Sequence, residues 1–292
     1  MPKILHFFII FLITISLGYS QAGISEPNKK DFLQVKDNQI YYEISGSGVP
    51  IILIHGGYLN HKIWKKQINY LNKKGFKTIV YDDLGHGKTI NGKEEVYGYQ
   101  IVDEIRKKLN IGKINIIGLS WGSMIALDFA LNNPKSLDKL ILISPGLNGW
   151  NYFQDPKAEK NFNERQIAKI NNDKNSFVEY FQKNWTDGPN QSSGRINVKL
   201  RNDIGEILLN TVENHWEENW SKLSTKINWS SIEAKTLIIT GNLDAIDILK
   251  IAQKYNKEIN QSQWIEIENV GHTLIVEKPK KVNRIIKNFL RS

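Results

Sequence analysis

The chain contains no cysteine. That excludes disulfides, thiolate metal sites and a cysteine nucleophile, and it rules out a lipidated N-terminal cysteine. No glycine-rich phosphate loop of the G-x-x-x-x-G-K type is present. No RNA- or DNA-binding motif can be read. His55 and His61 stand six residues apart without neighbouring carboxylates, so no metal site is expected. There is no internal repeat and no low-complexity linker. The net charge of +9 is carried by scattered lysines rather than a basic stripe. It reads as a generic bias that accompanies many Asn and Ile, not as a nucleic-acid footprint. A hydrophobic fraction of 40% with 10% aromatics suits a folded globular protein and argues against disorder.

Long apolar runs are also lacking, except at the start. Lys3 is followed by an apolar stretch from Ile4 to Leu17, interrupted only by His6, Thr14 and Ser16. Ser20 and Ala22 then place small residues at −3 and −1 of a cut before Gly23. This is the pattern of a cleaved signal peptide over residues 1–22, and it predicts export to the periplasm or beyond. The stretch is short for a span of about 20 residues. An uncleaved membrane anchor is the alternative. No stop-transfer segment follows.

The remaining 270 residues suffice for one large α/β domain. "DFLQVKDNQIYYEI" alternates apolar and polar residues around a short turn, which predicts an antiparallel hairpin, Phe32 to Val35 and Gln39 to Ile44. "VPIILIHGG", "KTIVYDD", "KINIIGLS", "LDKLILISP", "KTLIITGNLD" and "SQWIEIENVGH" are short continuous apolar runs, as expected of strands buried on both faces. Helical patterns lie between them: "HKIWKKQINYLNKKG", "GYQIVDEIRKKLNIG", "WGSMIALDFALNN" and "DILKIAQKYNK", with "KPKKVNRIIKNFLRS" last. Alternation of this kind predicts a mostly parallel eight-stranded sheet with helices on both faces. The rhythm stops between residues 146 and 231. That region is charged, helical in pattern and studded with Trp150, Trp185, Trp216, Trp220 and Trp229. It is expected to form a helical cap inserted into a core of residues 23–145 and 232–292. Its tryptophans are expected either to line an apolar pocket or to form the cap's own core.

One junction carries chemistry. Gly118-Leu119-Ser120-Trp121-Gly122 is G-x-S-x-G, with a buried strand before it and a helix after it. Such a turn holds serine in a strained conformation above the sheet edge, beside the positive end of the helix, and the small flanking residues prevent clashes. Ser120 is the candidate nucleophile. A serine hydroxyl needs a base. His272, in the loop between the last strand and the last helix, is the candidate; His61, His86 and His215 are the other histidines outside the apolar leader and the "HGG" loop. The imidazole needs a carboxylate. Asp244 follows a buried strand and a glycine, and Asp247, three residues on, is the alternative. An oxyanion needs donors. These are expected from the backbone N–H of Trp121 and from the "HGGY" loop at Gly57, with Tyr58 as the alternative. His55 should brace that loop. Asp83 and His86, in the compact turn "DDLGHGKT", read as structural.

The pieces "HGGY", "DDLGHGKT", "GLSWGS", "GNLDAID" and "NVGHTLIVEKP" together resemble the α/β-hydrolase superfamily over nearly all of the chain after residue 22. The C-terminal part and "WTDGPN" resemble its capped esterase and lactonase branch, which includes 3-oxoadipate enol-lactonases. "GLSWGS" is also similar to the "GGSWGS" of prolyl aminopeptidases. The resemblance implies a Ser120–His272–Asp244 triad, in the chain order of that superfamily. It also implies no cofactor and a small-molecule ester or lactone as substrate. The alternatives are a prolyl-type aminopeptidase, which would need cap carboxylates such as Glu213, Glu217 or Glu218 for a substrate ammonium, and a C–C bond hydrolase. A non-catalytic ligand-binding receptor of the same fold is a further alternative.

Overall fold

The computed structural model describes residues 27–217, 219–224 and 227–292. The leader over residues 1–22, read above as a signal peptide, lies outside the described residues. Among the described residues no helix is long and apolar enough to cross a membrane.

The chain begins with the expected hairpin, β1 (Lys29–Val35) and β2 (Asn38–Gly46), followed by β3 (Val49–Ile54). A 3-10 turn at His61–Trp64 leads into α1 (Lys65–Asn72), so the first helix starts one turn later than its apolar spacing predicts. β4 (Phe76–Tyr81), α2 (Gly98–Lys108), β5 (Ile114–Leu119), α3 (Trp121–Asn132) and β6 (Leu137–Ile143) complete the first part of the core. Three helices come next: α4 (Pro156–Ile170), α5 (Lys174–Gln182), which runs on into a π-helical turn at Lys183–Asp187, and α6 (Val198–Asn214). Among the described residues from Gly146 to Ser231 there is no strand, only an isolated bridge of Lys222 to Tyr97. β7 (Lys235–Gly241), α7 (Ile246–Glu258), β8 (Ser262–Ile267), the one-turn α8 (Leu274–Glu277) and α9 (Pro279–Arg291) close the chain. The short α8 did not show as a separate element in the sequence pattern.

The eight strands form one sheet in the order β1-β2-β4-β3-β5-β6-β7-β8. β1 and β2 pair antiparallel, as do β2 and β4, and every other pair is parallel. The order reverses around β3, so β3 and β5 diverge at a switch point, where α/β sheets form a crevice beyond the strands' carboxyl ends.

The two-residue period of the strands divides the core in two. Ile52 and Ile54 of β3, Ile116 of β5 and Leu140 and Leu142 of β6 face one side, against Val102, Ile125, Phe129, Ile251 and Tyr255 of α2, α3 and α7. Ile51, Leu53, Ile117, Leu119, Ile141 and Ile143 face the other. They pack there with Leu71, Ile286 and Phe289 of α1 and α9, a cluster that Phe177 of α5 and Leu208 and Val212 of α6 extend. Both faces are therefore apolar, which is why these strands read as continuous runs. Full burial of each Ile or Leu contributes about 1.5–3 kcal/mol.

The segment between β6 and β7 has no strand with which to pair. Core acids hold it instead. Asp128 of α3, 3% exposed, accepts the Ser224 N–H at 2.6 Å. Burial pushes its carboxyl up to about 6, and the Ser224 N–H offsets part of that rise. The ordinary carboxylate lies near 4 in the unfolded chain. The folded state thus retains the proton longer than the unfolded one. Stability is expected to fall as pH climbs from about 4 to about 6 and then to level. Asp128→Asn keeps an acceptor for Ser224 without the buried charge. Above pH 6 it is expected to gain about 1–2 kcal/mol and to flatten that slope. Urea unfolding at pH 4.5, 6 and 7.5 measures this, and equal or lower stability of the variant at pH 7.5 would refute it.

Candidate active site

Ser120 joins β5 to α3 with φ 53° and ψ −111°. This is a left-handed conformation that costs a non-glycine residue about 1–3 kcal/mol and persists only where its surroundings dictate it. Here they do. The Ser120 N–H donates to the Ile143 carbonyl of β6 at 2.9 Å. The Ser123 hydroxyl donates to the Gly118 carbonyl at 2.7 Å. A Cβ on Gly118 would run into the Gly122 carbonyl, and one on Gly122 into the carbonyls of Ile54 and His55. Strand, turn and helix backbones meet directly at these two positions, so both flanking glycines are steric requirements. The Ser120 side chain makes no capping bond to α3.

His272 and Asp244 come together from separate loops. His272 Nδ1 lies 2.9 and 3.0 Å from the two Asp244 carboxylate oxygens, and both residues are buried. Gly241, at the end of β7, lets the 270–271 backbone pass where a Cβ would collide with the Val270 carbonyl. The Leu243 N–H donates to that carbonyl at 3.0 Å. The Ser144 hydroxyl, just beyond β6, donates to the His272 carbonyl at 3.1 Å. With Nδ1 turned to Asp244, Nε2 is left as the basic nitrogen. Ser120 and His272 line the same cavity, of about 290 Å³. Asp247 goes elsewhere: it accepts from Trp150 Nε1 at 3.1 Å and from the Phe153 and Gln154 N–H groups at 2.9 and 3.2 Å.

The "HGGY" loop follows β3. Gly56 and Gly57 line the cavity, and among the described residues neither the Gly57 nor the Trp121 N–H donates a hydrogen bond. The alternative donor, Tyr58, is ruled out because its N–H is committed to His86 Nε2 at 2.9 Å. His86 Nδ1 in turn donates to the Leu84 carbonyl at 2.8 Å, and burial holds its pKa well below the ordinary histidine value. His55 braces the loop: Nδ1 donates to the Gly56 carbonyl at 2.8 Å and Nε2 accepts the Asp83 N–H at 3.0 Å. Asp83 takes the Trp121 indole N–H at 2.9 Å and the Ser221 hydroxyl at 2.8 Å. His61, which the linear sequence leaves without a carboxylate, finds one in Asp82 at 2.8 Å. Among the described residues no three His, Asp or Glu side chains converge as a metal site.

Two of the segment's tryptophans take the first expected role and Trp216 the second, whereas Trp150 and Trp229 pack against the core. Trp185 and Trp220 line the cavity, with Trp121 of the core. Trp185, on the π-helical turn, tilts against the His272 ring at 4.7 Å between centroids. Trp220 covers Gly57 so closely that a Cβ there would lie 2.8 Å from its ring. Trp216 packs on Phe177, and Trp229 on Tyr255.

Two features escaped the linear reading. Arg165 of α4 lines the cavity, but nothing in its spacing separates it from other charges on an amphipathic helix. Arg195 is the other. It pairs with Glu277 Oε2 at 2.6 Å and donates to the Asp187 and Thr186 carbonyls at 2.8 and 3.0 Å. Glu277 also accepts the Gly271 N–H at 3.1 Å, so Arg195 ties the π-helical turn to the residue preceding His272. Neither Glu213 nor Glu217 lines the cavity, and Glu218 lies outside the described residues.

Comparison with known proteins agrees with this architecture. The family model of the alpha/beta hydrolase fold matches residues 49–279. The AB hydrolase superfamily protein YisY of Bacillus subtilis is 26% identical over 268 residues, covering 87% of this chain and 96% of that protein. The 2-hydroxy-6-oxo-6-phenylhexa-2,4-dienoate hydrolase of Comamonas testosteroni is 27% identical over 283 residues, covering 92% and 95%. Among solved structures, an esterase from Exiguobacterium antarcticum superposes with a TM-score of 0.74 at 21% identity, covering 90% of this chain and all of that one. With the family model spanning most of its length, the chain belongs to the alpha/beta hydrolase family.

Proposed function

We propose that the protein is an exported serine hydrolase that cleaves a carboxylic ester or lactone through an acyl-enzyme on Ser120. One observation carries the reading: a serine held on a left-handed elbow lines the same cavity as a histidine whose Nδ1 faces a buried aspartate at 2.9 Å. In this reading Ser120 attacks the carbonyl and His272 Nε2 takes its proton. Asp244 fixes the tautomer and stabilises the imidazolium. The N–H groups of Gly57 and Trp121 receive the oxyanion, with the positive end of α3 behind them. His272 then protonates the leaving alcohol and activates the water that frees the acid.

The Exiguobacterium structural relative is an esterase, which is consistent with this chemistry. An aminopeptidase is less well supported. Among the described residues lining the cavity, the ionisable groups apart from His272 are Arg165 and the phenols of Tyr58 and Tyr152, and none is a carboxylate that could hold an ammonium.

Turnover of p-nitrophenyl esters across acyl lengths tests the reading. Ser120→Ala is expected to lower kcat by about 10⁴-fold or more. Ester turnover unaffected by that substitution, or absent from the folded parent, would defeat it. Gly57→Ala is expected to push Trp220 aside and misplace an oxyanion donor. The expected cost is about 10²–10³-fold in kcat, and stopped assays at saturating ester measure it. Export is tested by the intact mass of protein recovered outside the cytoplasm, which is expected to begin at Gly23; protein retained at full length would contradict it.

A further inference from the structure

Arg165 stands out among the charged side chains. It projects from α4 into the wall of the same cavity that Ser120 and His272 line. Three rings surround its guanidinium: Phe162 at 5.1 Å and Phe177 and Phe181 at 5.5 Å each. Its Nε is shut off from solvent and has no hydrogen-bond partner. Among the described residues no carboxylate lies within ion-pair distance of it. Other partly buried arginines of this protein are paired: Arg195 with Glu277, Arg201 with Asp187, Arg106 with Asp103.

An arginine cannot shed its proton to escape this environment. Burial drags its pKa downward, and the only opposing influence is Tyr58. Ring faces compensate a buried cation in part, but they accept no directional hydrogen bond from the buried Nε–H. Leaving a buried donor unmade is costly. The remaining wall supplies no anion: Leu59, Met124, Phe153 and Ile248 are apolar.

Resting on the proposed Ser120 chemistry, we propose that the substrate carries a carboxylate besides the scissile acyl group, and that Arg165 binds it. A carboxylate matches the guanidinium fork in geometry and its single charge in magnitude. A phosphate would bring up to two charges against one cation. Arg165 and Ser120 line one cavity of only about 290 Å³, so the acid is expected within a short chain of the reacting carbonyl. A dicarboxylic half-ester, or a lactone bearing a short acid side chain, fits that description.

Two measurements test this. In the first, the mono-p-nitrophenyl esters of glutaric and adipic acid are compared with neutral p-nitrophenyl esters of the same chain length. The charged esters are expected to have a kcat/KM at least about tenfold higher, as a charge-assisted hydrogen bond implies. In Arg165→Met that ratio is expected to collapse towards one, and Arg165→Lys should restore it only in part. Equal kcat/KM for charged and neutral esters in the parent would overturn the proposal.

In the second, calorimetry compares 4-phenylbutyrate with its primary amide on Ser120→Ala, where no turnover intervenes. The acid is expected to bind at least about tenfold tighter. Equal binding overturns the proposal, as does inorganic phosphate that competes as well as the acid. The same comparison is made on Ser120→Ala carrying Arg165→Lys, a milder change that serves if Arg165→Met fails to fold; there the preference is expected to fall, and a preference left unchanged would assign it to the Gly57 and Trp121 N–H groups and overturn the proposal. It also separates the two readings: failure of ester turnover would sink the Ser120 chemistry, whereas the Arg165-dependent part of the acid-over-amide preference reports on Arg165.

Discussion

The site depends first on one backbone constraint, the left-handed φ of Ser120. A lone residue does not hold that conformation. It is held because the ends of β3, β5 and β6 crowd together there. Ile143 takes the Ser120 N–H, and the carbonyls of Ile54 and His55 leave no room for any side chain at position 122. The same crowding places the other parts. The end of β3 runs directly into Gly56 and Gly57. The residue after β6, Ser144, holds the His272 carbonyl. The catalytic geometry proposed here is therefore a property of where three parallel strands stop, not of any single loop.

A second constraint lies at the end of β4, where two adjacent acids turn to different tasks. Burial works against ionisation of Asp82. The His61 hydrogen bonds outweigh it and hold its carboxyl below the usual range. Asp82 thus organises the turn through the N–H groups of His61 and Lys88 at 2.7 and 2.9 Å. Asp83 is equally buried, and there burial wins: its carboxyl is pushed up, with the Trp121 indole and the Ser221 hydroxyl offsetting only part. Its place between those two residues matters more than its charge. It fixes the indole of Trp121, the residue after Ser120, and it anchors the chain next to Trp220.

Much of this was legible in the sequence, for identifiable reasons. Strands buried on both faces must be apolar throughout, so their positions and the residues just beyond them could be read directly. That was enough to bring Ser120, Asp244 and His272 to one edge. Asp244 was preferred to Asp247 there, but what separates the two was not legible. The two are three residues apart, and only the path of the chain after Gly241 turns one towards His272 and the other towards Trp150. The choice between Gly57 and Tyr58 was hidden for a similar reason, since it depends on His86 being 28 positions away in sequence yet in contact. Arg165 was invisible because its significance is the lack of a partner, and partners are set by tertiary packing. The pairing of His61 with Asp82 was missed on the same ground.

The segment between β6 and β7 follows a different logic from the core. The core's reactive groups are fixed by backbone contacts at strand ends. This segment contributes Gly146, Tyr152, Phe153, Arg165, Phe181, Trp185 and Trp220 to the cavity wall. One theme recurs among its attachments to the core. Asp128, Asp247 and Asp83 each present a carboxylate to donors of this segment, and Glu277 does so through Arg195. Backbone hydrogen bonds between Lys222 and both Val96 and Gly98, and the packing of Phe177, Leu208 and Val212 in the apolar cluster, add to them. Hydrogen bonds contribute about 0.5–1.5 kcal/mol each and are directional, so together with that packing they can seat a helical layer that shares no sheet with the core. None of these anchoring acids lines the cavity. The acids that seat the layer are thus separate from the residues that line the cavity. A substitution at Arg165, Phe181 or Trp185 can therefore change what the cavity accepts while the elbow at Ser120, and the acids that hold the layer over it, stay as they are.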